Sequence, residues 1–296
     1  MRPFLLLTLS LCRLVLVEIS SPQENQSESR WTFLPGKLAV SPLTASYREP
    51  RVGLRKEMGS SRLKVDIGAS VDMVEFRPST DSTEKLRVGI DFFTYALSTN
   101  SEGLRLQIDA VDGYFGGHVA YLNKLENASR FILRLRLLHL SAHFLDGHFN
   151  NVTQTWKDNR APTPFTRDFG ELLGIFDFHF AEIDSRLYGG FSYATLVRPT
   201  NINRFEVHGG FELHTSEAVK SVFDKPFNLY LANDFTLRGI PSFIGTNNLE
   251  FGVKFGEWSS TGLKIYLSYY NGLDIFSQYY DVRRENWGLG FAFDFW

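Results

Sequence analysis

Apolar and polar residues alternate with a period of two through most of the chain after residue 50. In the run 62–76, for example, Leu63, Val65 and Ile67 are each followed by a polar residue or glycine. The clearest runs span residues 62–76, 85–97, 104–109, 205–212, 249–256 and 287–295. Successive side chains of a strand point to opposite faces, so this alternation predicts strands with one apolar and one polar face.

With weaker runs included there are about twelve, and an even number of alternating segments near ten residues each is typical of a transmembrane β-barrel. A soluble sandwich or a lipocalin-like barrel also alternates, because one face of each strand is core. Several runs, however, exceed the about 5–6 residues usual in soluble strands and match the about 9–11 that cross a bilayer at a tilt. The sequence therefore predicts an all-β fold, a transmembrane antiparallel β-barrel of about 12 strands.

Composition supports the β prediction. The 296 residues include 27 Phe, 12 Tyr and 24 Gly, a balance that favours strands and turns over helices. The net charge of −2 gives no electrostatic indication of a nucleic-acid partner. Membrane lipid or lipopolysaccharide is the expected partner, in a bacterial outer membrane, and no cofactor is predicted.

The start of the chain divides into two predicted segments that precede the barrel. Residues 1–21 have a basic start and an apolar stretch, as in a signal peptide, and contain the only cysteine, Cys12. Residues 22–50 begin with a polar stretch and contain three prolines after residue 30, which predicts an extended N-terminal segment. The outer-membrane β-barrel is then predicted to span residues 51–296, without thiol or disulfide chemistry.

The most concentrated chemistry lies in residues 131–147. Leu133, Leu135 and Leu137 lie on the apolar face of the predicted strand, and His139, Ser141 and His143 continue the same face. These three polar residues are therefore predicted on the lipid-facing side, near the outer-leaflet boundary. Residues two apart on a strand lie about 6.6 Å apart, which lets His139 or His143 act as base for a Ser141 nucleophile.

A third group would orient the histidine in such a site. The candidates are Asp146, Asn150, Asn151, Asp168 and Glu171. The two histidines, about 13 Å apart, are too distant to bind one metal ion, so no metal site is predicted. The opposing interpretation is that these residues are interfacial polar groups that meet lipid headgroups or lipopolysaccharide phosphates.

Arg134 and Arg136 lie on the opposite, polar face of the same strand. They are predicted to form a charge network in the lumen, together with Arg167 and Asp168. The alternative is an anion-selective ring.

Two resemblances bear on function. His139-Leu140-Ser141 resembles the H-x-S pair that outer-membrane phospholipase A and the lipid A 3-O-deacylase present on a barrel strand, although both follow the serine with Asn where this chain has Ala142. More widely, residues 33–296 resemble the uncharacterised bacterial outer-membrane family DUF1207. That resemblance is carried by FLPGKLAVSPLTASYREPRVG, HLSAHFLDG, FTRDF, RLYGGFSY and GLGFAFDFW. It implies an outer-membrane location and no established activity.

Two functional hypotheses from different classes follow. The first is a non-enzymatic barrel, structural or a narrow pore, in which the lumenal charges matter. The second is a lipid-face serine esterase acting on phospholipid or lipid A acyl chains, with Ser141 as nucleophile, His139 as base and Asp168 as one candidate for the orienting group.

Overall fold

The computed structural model describes residues 30–79, 81–101, 104–215 and 226–295. The predicted signal peptide lies outside these residues. The described chain is almost entirely β-structure. Its strands are β1 Trp31–Phe33, β2 Val52–Glu57, β3 Leu63–Phe76, β4 Glu84–Ser101, β5 Leu104–Lys124, β6 Arg130–Phe144, β7 Phe149–Asn150, β8 Thr155–Trp156, β9 Phe165–Phe180, β10 Ile183–Arg198, β11 Phe205–Thr215, β12 Phe227–Gly239, β13 Phe243–Phe255, β14 Gly262–Leu273 and β15 Arg283–Asp294. Four 3₁₀ turns interrupt the loops, at Glu126–Ala128, Asp146–His148, Lys157–Asn159 and Ser277–Tyr279.

Twelve of these strands close into one antiparallel barrel. Each pairs with the next along the chain, β6 with β9 across the loop that holds the β7–β8 hairpin, and β2 closes the ring by pairing with both β15 and β3. The short strand β1 adds to β3 beside the ring. The predicted fold class, an all-β antiparallel barrel of about 12 strands, is confirmed.

Connections sort to the two ends of the barrel. We define the upper end as the one that carries the long β6–β9 loop, residues 145–164, and the lower end as the one where β3 and β4 are joined by residues 77–83. The loops at residues 199–204, 240–242 and 274–282 also lie at the upper end.

The wall of the barrel is apolar outside and charged inside. On β6, Leu133 and Leu135 are each 40% exposed and Leu137 is 63% exposed, while the intervening Arg134 and Arg136 are 5% and 1% exposed. The other long strands repeat this contrast, since most exposed large apolar residues alternate with buried polar ones. The fold therefore inverts the soluble pattern, in which apolar side chains point inward. No helix in the described ranges is long and apolar enough to cross a membrane.

Candidate functional site

The lumen is occupied by the chain itself. Residues 34–51, which we call the lumenal segment, leave the wall beside β3, where the Leu34 amide donates to the Met73 carbonyl at 2.9 Å. They rejoin it at Val52, which opens β2 opposite Phe293 near the end of β15. Both attachment points lie at the lower end, and between them Leu43 is fully buried. The segment therefore enters and leaves the lumen from the same side.

Wall side chains hydrogen-bond the backbone of the lumenal segment along its length. The bonds join Asp72 to the Ala39 amide (2.7 Å), and Arg87, Arg186, Asn248 and Arg136 to the carbonyls of Lys37 (3.0 Å), Ser41 (3.3 Å), Ala45 (2.6 Å) and Arg48 (3.1 Å). A buried segment outside regular secondary structure must find partners for its backbone polar groups, and here the wall supplies them. The segment is thus held from several sides of the barrel.

Ion pairs add a second set of contacts near the C-terminal end of the lumenal segment. Arg48 pairs with Glu206 of β11 at 2.5 Å, and Glu49 pairs with Arg134 of β6, also at 2.5 Å. Arg51 then pairs with Glu250 of β13 at 3.1 Å. Charges of alternating sign on the segment are therefore matched by opposite charges on the wall, which compensates in part for their removal from water.

The structure places three of the four residues of the predicted lumenal charge network inside the barrel and the fourth outside. Arg134, Arg136 and Arg167 do point inward, where Arg136 pairs with Glu171 at 2.7 Å and Arg167 with Glu206 at 2.6 Å. Asp168 is not part of this network: its side chain is 43% exposed on the outer wall. The reason is the pleat, because neighbouring residues of one strand cannot point to the same face. The carboxylates that do balance the three arginines are Glu49, Glu171 and Glu206.

At the upper end the β14–β15 loop, residues 274–282, folds into the opening of the barrel. We call these residues the mouth loop. Ser277 donates its amide to Asp112 of β5 at 3.1 Å, and Gln278 donates to the Ala142 carbonyl of β6 at 2.8 Å. Phe276 is 1% exposed and packs into an apolar cluster that fills the upper lumen. Burial raises the pKa of Asp274 in this loop, although Arg62 and Arg284 oppose the shift.

Little open space remains inside the barrel. The cavity beside Arg51 and Tyr266 has a volume of about 30 Å³, and the one beside Arg48 and Arg238 about 10 Å³. Such volumes hold water molecules at most. A larger polar vestibule of about 650 Å³ lies at the lower end, beside Arg186 and Trp258. The lumenal segment and the mouth loop thus fill the path between the two ends.

The structure places the predicted histidine and serine residues on the outer wall. The β6 residues alternate without a bulge through this stretch, so His139, Ser141 and His143 share one outward face. His139 donates a hydrogen bond through Nδ1 to Oδ1 of Asp168, 2.5 Å away on β9, and its ring lies 4.8 Å from that of Phe115. Asp168 is therefore the group that orients His139.

Ser141 is not hydrogen-bonded to either histidine within the described chain. It lies two residues beyond His139 and opposite Thr166 of β9, while His143 is exposed. Of the other predicted orienting groups, Glu171 is fully buried in the lumen, and Asp146, Asn150 and Asn151 lie in the β6–β9 loop and its short hairpin. The structure thus brings together a His–Asp pair and leaves the serine beside it.

Sequence reasoning missed two sets of residues. The lumenal segment has no alternation that would assign it to a strand, and only its prolines predicted an extended segment there. Arg198 and Arg204 flank the loop after β10 and are exposed at the upper end of the barrel. Their position at the end of an alternating run was the only signal that marked them.

Across the described ranges, no cluster of three or more His, Cys, Asp or Glu residues is arranged to hold a metal ion.

Comparisons with known proteins assign no family and no residue role to this chain. No protein-family model matches the chain, and no curated protein matches it. Among solved structures, the beta domain of the Bordetella autotransporter BrkA is similar at 12% identity and a TM-score of 0.45, with 82% of this chain and 97% of that chain covered. OmpT of Vibrio cholerae is similar at 11% identity and a TM-score of 0.31, with 86% and 99% covered. Neither similarity transfers a residue role.

The closed antiparallel ring, its apolar outer face and its charged interior define this chain as a β-barrel of the outer-membrane type.

Proposed function

We propose that this protein is a non-enzymatic barrel of the bacterial outer membrane with a closed lumen, structural rather than a pore. The carrying observation is that the lumenal segment occupies the interior and is tied to nearly opposite sides of the wall, through Glu49 to Arg134 of β6 and through Arg51 to Glu250 of β13. A pore needs a continuous aqueous path, and the cavities beside Arg48 and Arg51 hold water molecules at most. The predicted narrow pore is therefore the less favoured form of the non-enzymatic hypothesis.

Conductance across a planar lipid bilayer tests this proposal. The full-length protein should insert without opening stable channels. A variant that begins at residue 52 and carries a short glycine-serine linker in place of residues 274–282 should conduct, because it retains all twelve wall strands and lacks both the lumenal segment and the mouth loop. A variant that begins at residue 34 and carries the same linker is the matched control, since it keeps the segment and should remain closed. Heat-modifiable migration on a gel and β-type circular dichroism establish that each variant is folded.

Stable channels from the full-length protein would contradict the proposal. Equal conductance from the variants that begin at residues 34 and 52 would show that the lumenal segment is not what closes the barrel.

A second candidate function, a lipid-face serine esterase, is favoured by one observation. His139 is bonded to Asp168 through Nδ1, which directs its other ring nitrogen away from the carboxylate, and Ser141 lies on the same outward face. A His–Asp pair beside a serine is the arrangement that activates a nucleophile, and only lipid acyl esters reach this face in a membrane. Against it, no hydrogen bond joins Ser141 to His139 in the described part of the chain.

Hydrolysis of phospholipid and of lipid A by the purified protein separates the two candidates. An esterase should release fatty acid and lose that activity in Ser141→Ala and His139→Ala, while Thr166→Ala, a neighbouring outward hydroxyl, should keep it. If wild type and Ser141→Ala release equal amounts, Ser141 is not a nucleophile and the structural barrel stands alone.

A further inference from the structure

The outer wall changes from apolar to polar near the top of three adjacent strands, β6, β9 and β10. On β6 the outward residues are apolar up to Leu137 and polar from His139 onward. On β10 the outward residues Phe191 and Tyr193 are followed by Thr195 and by Leu196, which is 37% exposed opposite Asp168. The outward residue after Leu196 is Arg198, at the end of the strand. A polar area therefore borders the apolar band on its upper side, where lipid headgroups meet a barrel.

Strand register aligns polar residues across this boundary. Ser141 of β6 lies opposite Thr166 of β9, and Thr166 lies opposite Arg198 of β10. Because neighbouring strands are about 4.8 Å apart, these side chains form one continuous row on the outer surface. His143 extends the row upward on β6 and is exposed without a hydrogen-bond partner among the described residues.

Two arginines at this edge hold charges that the protein does not neutralise. Arg198 donates to the Val197 carbonyl at 3.0 Å, and Arg204 donates to the Ala194 carbonyl at 3.1 Å. Neither forms an ion pair in the part of the chain that the structure describes, in contrast to the lumenal arginines Arg134, Arg136 and Arg167. Backbone carbonyls orient a guanidinium but leave its positive charge available to an anion.

Asp168, the outward carboxylate of the row below, is already engaged. Asp168 is bonded to His139 one row below, so it offers its charge to that histidine and not to the arginines. The surface at the level of Arg198 and Arg204 is accordingly cationic, with hydroxyl donors from Ser141 and Thr166 beside it. Apolar side chains lie directly beneath, among them Leu137 at 63% exposure.

We propose that Arg198, Arg204, Ser141, Thr166 and His143 form a binding site for the phosphate of an anionic lipid headgroup. The guanidinium fork matches phosphate oxygens, hydroxyl groups donate to the same anion, and the apolar band below accommodates the acyl chains. This site goes beyond the proposed structural barrel and does not depend on whether the lumen conducts.

Native mass spectrometry of the full-length protein in a non-ionic maltoside detergent tests the site. The protein is titrated with short-chain phosphatidylglycerol and, separately, with phosphatidylcholine of the same chain length. The wild type should retain phosphatidylglycerol in preference, and the double variant Arg198→Gln/Arg204→Gln should bind it at least about tenfold more weakly, since bonds to charged groups are the strong ones.

The matched control is Lys56→Gln/Arg283→Gln, which removes two positive charges from exposed side chains on β2 and β15, across the seam of the barrel. It should bind phosphatidylglycerol within about twofold of the wild type, because only the local arginines bond the phosphate. The charge-retaining Arg198→Lys/Arg204→Lys variant should recover part of the lost affinity.

Three results would overturn the proposal. Arg198→Gln/Arg204→Gln could bind phosphatidylglycerol as tightly as the wild type, or the Lys56→Gln/Arg283→Gln control could lose as much affinity for phosphatidylglycerol. The third is that Arg198→Gln/Arg204→Gln loses as much affinity for phosphatidylcholine as for phosphatidylglycerol. A titration with inorganic phosphate separates a lipid from a free anion. If inorganic phosphate displaces the lipid at comparable concentration, the ligand is free phosphate and the lipid assignment is wrong. Gel migration of every variant verifies folding, and conductance measured on the same samples tests the closed lumen independently.

Discussion

The two faces of strand β6 both carry polar side chains that are removed from bulk water, but the side chains on the two faces have different partners. Inside the barrel, Arg136 is 1% exposed and is bonded to Glu171 and to the Arg48 carbonyl. Outside, His139 is partly exposed and has one carboxylate partner, while Ser141 and His143 have no protein partner among the described residues. Buried charges on this strand are paired within the chain, and the outward polar groups are left to the headgroup region.

The comparison shows why one strand accommodates both leucines and arginines. Outward apolar residues need only hydrocarbon, whereas each inward arginine needs a carboxylate that comes from elsewhere in the chain. For Arg134 that carboxylate is Glu49 of the lumenal segment, 85 residues earlier. The wall and the segment therefore stabilise each other, which ties the stability of the barrel to the closure of its lumen.

The largest effect is expected inside the barrel. Arg136→Ala leaves Glu171 buried without its main partner, and breaking a buried pair in this way costs about 3–5 kcal/mol of unfolding free energy. Urea unfolding of the protein refolded into lipid vesicles measures the loss. The double variant Arg136→Met/Glu171→Leu, which removes both charges, should lose clearly less. Equal losses would show that the side chains matter through packing and not through charge.

A charge placed on the outer wall should have the next largest effect. Leu135→Arg puts a cation on the apolar band and should cost about 2–4 kcal/mol, by the depth dependence of lipid-facing arginine. The matched change His143→Arg, eight residues higher on the same face, should cost about 0–1 kcal/mol. The same vesicle unfolding assay compares them. Similar costs at the two positions would contradict a boundary between Leu137 and His139.

The smallest effect concerns the pair on the outer wall. His139 and Asp168 are 32% and 43% exposed, so their mutual bond should contribute only about 0.2–1 kcal/mol. A double-mutant cycle with His139→Ala and Asp168→Ala measures this coupling. A coupling as large as that of Arg136 with Glu171 would mean that the outer pair is shielded like a lumenal one, and it would strengthen the esterase hypothesis.

Much of the wall was predictable because its determinants are local. The alternation of Leu133, Arg134, Leu135 and Arg136 is a property of neighbouring residues, and it specifies which side chains share a face of the strand. The number of strands and the placement of His139, Ser141 and His143 on the outward face follow from the same rule. The assignment of Asp168 to the lumen failed because it ignored that rule, since Arg167 next to it points inward.

The contents of the lumen were not predictable in the same way. Which carboxylate meets Arg134 depends on the path of the lumenal segment and on the curvature of the closed sheet, and neither leaves a periodic signal. The mouth loop poses the same difficulty, because Ser277 reaches Asp112 across 165 residues of sequence. The resemblance to DUF1207 and the predicted signal peptide stay predictions.

By itself, the sequence determined that this chain forms amphipathic strands in number and length suited to a membrane barrel, because a period of two is encoded residue by residue. Only the tertiary structure decided that the interior is filled, that Glu49 and Glu206 balance the lumenal arginines, and that Arg198 and Arg204 are exposed without an ion-pair partner among the described residues. Those outcomes depend on which residues meet across the closed ring. Such contacts join residues that are far apart in the sequence, so no local pattern encodes them.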